Sequence, residues 1–311
     1  MLYFHTFVAN MVDTNNKTIR QAYFKIHLAV LLFGFTAILG DLIKMPAIMI
    51  VWWRVLITSI SLLFFIRFGK DLVAVGPKLI KKYVFIGILI GSHWICFYGS
   101  IKLSNASVCL VSMSTTSFFT AWIEPLLVRT KFNKYEIITG LLIIPAMALI
   151  ANTLDSQYLT GLMVGLLSAL LAAVFSVLNR ANISGASPFT ISFIELTSAW
   201  VMITGVLLAM YLFGQKQTSF LPNGTDWFYL IILALVCTTL AHVLSLQALR
   251  YITAFDANLV INLEPIYGIL LAVTILHEHK ELNPMFFVGA AIILLTVIFH
   301  PFLIKKSKPK I

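Results

Sequence analysis

Six acidic, basic or histidine side chains fall in the interior of long apolar runs, away from their ends: Arg54, His93, Glu124, Glu195, His242 and Glu264. A charge in hydrocarbon costs from about 2.5 kcal/mol upward unless it is paired or wetted. Each therefore needs a partner, a ligand or water. Arg54 presents a guanidinium fork that fits a carboxylate or phosphate; the structural alternative is an ion pair, or snorkelling to the outer headgroups. Glu264 precedes Pro265. A proline within a helix frees the carbonyl four residues back, here that of Ile261, and bends the helix. A carboxylate beside freed backbone suits a cation, an amino group or a proton. The alternative is a glutamate hydrogen-bonded to neighbouring helices, with Pro265 as the hinge. Asn258 and Asn262 lie four residues apart on one face of the same helix, and Glu264 stands obliquely to that face.

Other polar groups cluster nearby. Trp94 and Tyr98 are four apart and could wall a pocket for a flat or apolar substrate, with His93 as a proton relay. An aromatic packing stripe with a hydrogen-bonded histidine is the alternative. Ser112, Ser114, Thr115, Thr116 and Ser117 could line a wet path or pack helices closely. His242, beside Thr238 and Thr239, reads as a gate residue, and Glu195 as a gate residue, the partner of an inner-side Arg or Lys, or a group lining inner water. Glu124, one turn before Arg129, reads as half of a surface ion pair. The stretch His277-Glu-His-Lys-Glu281 is not a metal site, because His277 and His279 cannot share a helix face and no third ligand is placed. No phosphate loop, nucleotide fingerprint or nucleophile motif occurs, so no cofactor is expected and ATP-driven transport would need a separate subunit.

The elements that must position these groups are bilayer spans. Of 311 residues, 60% are hydrophobic and 11% charged, and the mean hydropathy is +0.96. A water-soluble surface cannot sustain that composition. Continuous apolar runs fall at 26–43, 46–66, 83–103, 106–128, 136–153, 158–178, 188–213, 227–249, 255–276 and 284–303. They predict an all-α integral membrane protein of ten transmembrane helices; continuous rather than alternating runs argue against a β-barrel. Residues 1–25 read as a cytoplasmic tail without a cleavable signal, the first run as an uncleaved anchor, and 304–311 as a basic cytoplasmic tail. With the N-terminus inside, 17 Lys and Arg fall on inner segments and four on outer ones. Both termini are thus expected in the cytoplasm, at the cell membrane. The same bias accounts for the net charge of +10 without nucleic-acid binding. Cys96, Cys109 and Cys237 read as packing residues.

The halves echo each other. Tyr98-Gly-Ser-Ile-Lys-Leu-Ser-Asn-Ala106 parallels Leu246-Gln-Ala-Leu-Arg-Tyr-Ile-Thr-Ala254, and Gly140–Ala146 parallels Gly289–Leu295. Five spans per copy force the second copy, 154–303, to lie upside down relative to the first, 26–153. Inverted repeats place a transporter's substrate site near the midplane between the halves.

The chain resembles the EamA-like branch of the drug/metabolite transporter superfamily over about residues 26 to 303. The resemblance rests on Phe33-Gly34-Phe35, Trp53-Arg54, Ile101–Ser107, and the ladder Glu264-Pro265, Glu278, Gly289. The first half departs from the family pattern: span four reads Ser114-Thr-Thr-Ser-Phe118 with no proline at the matching place, and the usual glutamate position falls on Arg129 or Thr130. The resemblance implies a cavity lined by spans one, three, four, six, eight and nine. It also implies export of a small polar metabolite such as an amino acid, or of a toxic compound. The composition is compatible with alternating access, close helix approach at Gly34, Gly40, Gly161 and Gly165, and a coupling proton at Glu264. The rivals are uptake of a nucleotide-like or adenosyl compound and, from another class, a membrane-embedded enzyme acting on lipid. Against the enzyme, no intramembrane His/Asp cluster or Ser/Lys couple presents itself.

Overall fold

The computed structural model describes residues 2–214, 220–261, 263–277 and 283–305. Among them every regular element is helical. The first half comprises α1 (Leu2–Leu42), α2 (Ala47–Leu63), a short α3 (Phe68–Val75), α4 (Pro77–Leu103), α5 (Ala106–Met113), α6 (Thr116–Val128), α7 (Lys134–Leu141) and α8 (Ile143–Thr153). The second comprises α9 (Ser156–Asn182), α10 (Pro188–Leu212), α11 (Gly224–Ala234), α12 (Ala241–Leu249), α13 (Ala254–Ile261), α14 (Glu264–Leu271) and α15 (Pro284–Lys305). π-Helical turns at Leu235–Leu240 and Ala272–Leu276 continue α11 and α14.

Among the described residues, seven helical runs are long and apolar enough to cross a membrane, and Ala47–Leu63 is a shorter apolar helix. The run expected at 136–153 is divided at Leu142 into α7 and α8. Pro145 explains the division: it has no N–H to give the carbonyl of Leu141, and its ring would press against that carbonyl. Helix starts follow local chemistry. Asn105, Ser187 and Asn223 cap α5, α10 and α11, their side chains accepting from the N–H groups of Val108, Thr190 and Asp226 at 2.9, 3.1 and 2.8 Å.

The register that pairs Tyr98–Ala106 with Leu246–Ala254 also pairs Met113 with Ile261 and Thr116 with Glu264. These are the residues at which α5 ends and α6 begins, and at which α13 ends and α14 begins. Both helices are thus interrupted at the same place in the repeat. The same register pairs Arg129 with His277. Among the described residues these two are the non-glycine positions with positive φ, 58° and 59°, and each terminates its helix in the left-handed conformation.

The halves interdigitate. α4 packs on α9, and its counterpart α12 packs on α1; α5 and α6 pack on α9, as α13 and α14 pack on α1. α2 crosses α10, and α8 crosses α15. Close crossings need small residues: a Cβ on Gly34 would stand 2.9 Å from Cβ of Tyr267.

Candidate substrate cavity

A cavity of about 90 Å³ lies where the broken helices meet. α1, α4, α5, α6, α9, α12, α13 and α14 line it, joined by Arg54 from α2. Its polar wall includes Thr36, His93, Thr116, Ser176, Asn179, His242, Ser245, Asn258 and Glu264, and Phe33, Trp94, Phe97 and Phe175 supply aromatic surface.

Arg54 is 1% exposed and held from three sides. Its Nε donates to Thr238 Oγ1 at 2.6 Å and its Nη1 to the Tyr98 hydroxyl at 2.7 Å. The guanidinium carbon stands 4.0 Å from the centroid of the Trp94 ring, a cation–π contact. Thr238 is free for this because it lies in the π-turn. Its own hydroxyl donates to Leu233 O, five residues back, at 2.6 Å. Thr58 donates to Ala234 O, immediately before that turn, at 3.0 Å. A π-bulge of this kind commonly marks a functional position. Tyr98, expected as a cavity wall beside Trp94, is fully buried behind it and serves Arg54. Trp94 does border the cavity.

Glu264 opens α14, beside Thr36 of α1. Pro265 follows in the first turn of that helix, where its missing N–H would have had no helical partner. The interruption falls before the proline, between Ile261 and Glu264. In the first half no proline stands at the break; hydroxyls hold it instead. Thr115 Oγ1 donates to Ser112 O and Thr116 Oγ1 to Met113 O, each at 2.7 Å, and Ser112 Oγ donates to Val108 O at 2.9 Å. Such local bonds bend helices. Paired interruptions in the two halves point to the binding site of a transporter, and here both border the cavity through Thr116 and Glu264.

Asn258 is 2% exposed, donating to Thr120 Oγ1 at 2.9 Å and accepting from Ser176 Oγ at 3.2 Å. Asn262, Glu278 and His279 lie outside the described residues, as do residues 306–311 of the basic tail. His93 Nδ1 lies 2.9 Å from Ser168 O and 2.8 Å from Ser168 Oγ, while Ser168 Oγ reaches His93 O at 3.0 Å. A carbonyl only accepts, which assigns the proton of the neutral ring to Nδ1 and leaves Nε2 as an acceptor.

Two partnerships differ from those read in the sequence. Among the described residues Glu195 forms no ion pair with an Arg or Lys; it is fully buried with Oε2 3.1 Å from His242 Nε2 and 3.4 Å from Asn179 Nδ2. Glu124 forms no ion pair with Arg129. Its two oxygens accept the N–H groups of Ala254 and Phe255 at 3.3 and 2.9 Å, capping α13 across the halves. A helix N-terminus carries unpaired donors and partial positive charge, so it competes well with an exposed arginine. Phe33, of the Phe33-Gly34-Phe35 motif, lines the cavity too; Thr36, Phe175, Ser176, Asn179 and Ser245 also line it, and nothing in their types or spacing marked them.

A model of the EamA-like transporter family matches residues 20–152 and again 159–301. The chain is 21% identical to the uncharacterized transporter YxxF of Bacillus subtilis (strain 168) over 263 residues, 83% of this chain and 82% of that protein. It is 25% identical to the uncharacterized transporter YetK of the same organism over 309 residues, 93% and 88% of the two chains. A protein of known crystal structure shares the fold at 14% identity, with a TM-score of 0.67 covering 93% of this chain and 99% of that one.

Proposed function

The chain belongs to the EamA-like transporter family, and from that membership we propose that it exports a small zwitterionic metabolite, an amino acid or close relative, across the cell membrane by alternating access. The single observation that carries the substrate class is the pairing of charges in one cavity. Arg54 and Glu264 both border it, and among the described residues no ion pair joins them. Arg54 would take the substrate carboxylate with N–H groups not used by Thr238 and Tyr98. Glu264 would take the ammonium, and a proton there would compete with it. Asn258, His93 and His242 would orient the remaining polar atoms, Trp94 would pack the apolar part, and Pro265 would hold the break that lets α13 and α14 move separately.

Alternating access is supported by the pseudo-symmetric packing of the halves. In this reading ten spans form two five-helix repeats, 26–153 and 154–303, inverted relative to each other, with both termini in the cytoplasm.

Purified protein melted against the proteinogenic amino acids tests the proposal. A ligand at 100 times its Kd stabilises by about 2.7 kcal/mol, enough to move the melt. The expected result is a shift with one group of amino acids that Glu264→Gln abolishes and Arg54→Lys weakens. Arg54→Lys keeps the charge and removes the fork. Shifts with anionic nucleotides and none with amino acids would overturn the substrate class.

A further inference from the structure

Beside the cavity lies a second ionisable group that substrate binding does not use. Glu195 is fully buried and does not border the cavity. Its Oε2 is partnered by His242 and Asn179, but its Oε1 has no hydrogen-bond partner. Asn179 Oδ1 and Ser192 Oγ, on residues adjoining it, are also buried and unpartnered. Ser192 precedes Glu195 by three residues and shares its helix face. Buried acceptors without donors are costly. We propose that Glu195 and His242 form a proton-binding site, which takes up one proton from the cavity past the His242 ring and holds it on Glu195 Oε1. There the added O–H is a donor among unpartnered acceptors, while Oε2 keeps accepting from Nε2–H of His242. No heavy-atom bond changes, and the pair goes from one negative charge to none.

The site is set in a crossing that cannot absorb a change of charge locally. α10 lies so close to α4 there that a Cβ on Gly87 would overlap the backbone carbonyl of Glu195. Unloading leaves an uncompensated carboxylate where elements of both halves meet, so occupancy is linked to their arrangement. Tyr83 on α4 is within electrostatic reach of Glu195 and of Arg250, the residue after α12. Arg180 follows Asn179 on α9. Arg54, His93 and Glu264 border the cavity that His242 borders. As a coupling site the pair rests on the transporter reading; as a proton site it does not.

Infrared difference spectra of the purified protein between about pH 5 and about pH 9 test the proton site without any substrate. The expected result is a titrating carbonyl stretch of a protonated carboxyl group that Glu195→Gln removes, His242→Asn shifts and Glu264→Gln leaves in place. Absence of that band, or its survival in Glu195→Gln, would overturn the proposal, as would a response to Na+ at fixed pH in its stead. If Glu195→Gln does not fold, the wild-type band and its shift in His242→Asn decide. Coupling is read in proteoliposomes with radiolabelled amino acids. Glu195→Gln should keep counterflow within about twofold and lose accumulation driven by a pH gradient by about tenfold or more. Retained gradient-driven accumulation would overturn the coupling role. No counterflow in the wild type would sink the amino-acid reading and leave the infrared result standing.

Discussion

Arg54 shows what a buried charge demands of its neighbours. Two hydroxyls and an indole face hold it, and none of them is charged. Tyr98→Phe leaves one buried N–H of Arg54 without its partner, which costs about 1–3 kcal/mol. The expected outcome is a lowered melting temperature in detergent and weaker ligand-induced stabilisation, with Trp94 contact retained. An unchanged melt would mean that the hydroxyl contributes nothing to fixing the guanidinium. At this scale the ionisable residues were legible, because a charge in an apolar run stands out against its cost. Their partners were not. Glu195 and His242 are 47 residues apart, and which group meets Glu195 depends on how α10 and α12 are rotated. Thr36, Ser176 and Asn179 carry no charge, and neutral polar residues in membrane helices are too common to announce a cavity.

The interrupted helices make the corresponding point for elements. Pro265 marked one break, and its absence from the paired position, Ser117, read as drift from the family pattern. The first half keeps the break by other means, with Thr115 and Thr116 hydroxyls satisfying carbonyls that a continuous helix would have used. Ser117 occupies the same place in α6 as Pro265 in α14. Ser117→Pro should therefore change stability by no more than about 1 kcal/mol. Ala169→Pro, in the middle of the uninterrupted α9, should cost about 3 kcal/mol or more. Thermal melts of the two variants check this, and equal losses would remove the equivalence of the breaks. Hydropathy alone could not show these features, since an interrupted helix and a straight one are equally apolar. The same blindness hid the division at Leu142, although Pro145 was in view.

For the whole molecule, the contacts where α6 meets α13 join different halves. Glu124 of α6 caps α13, and Ala121 packs with Phe255 and Leu259 in a small apolar cluster beside it. Glu124→Ala removes the acceptor for two helix-terminal N–H groups and should loosen that seam. A cysteine placed at Ala121, in a background lacking the three native cysteines, is expected to react faster with a polar maleimide when Glu124→Ala is added. No change in labelling rate would show that the cap does not hold the seam closed. The all-helical membrane class and the repeat were plain in composition and in the matched links. The partnering of α4 with α9 and α12 with α1 was not, because a repeat in sequence says that two units are alike and nothing about which faces they share.

That interdigitation has a consequence for how the chain is made. Arg54 is inserted long before Thr238, and Lys44, whose N–H donates to Asp226 at 2.9 Å, waits as long for its acceptor. The α13 terminus that Glu124 caps is also synthesised late. A nascent chain paused after α8 would therefore hold Arg54 in the bilayer without Thr238, and its helices would lack surfaces they are shaped to fit. Assembly cannot proceed as one finished half followed by another. The early helices must remain loosely associated, within reach of the insertion machinery, until the late ones arrive to complete them.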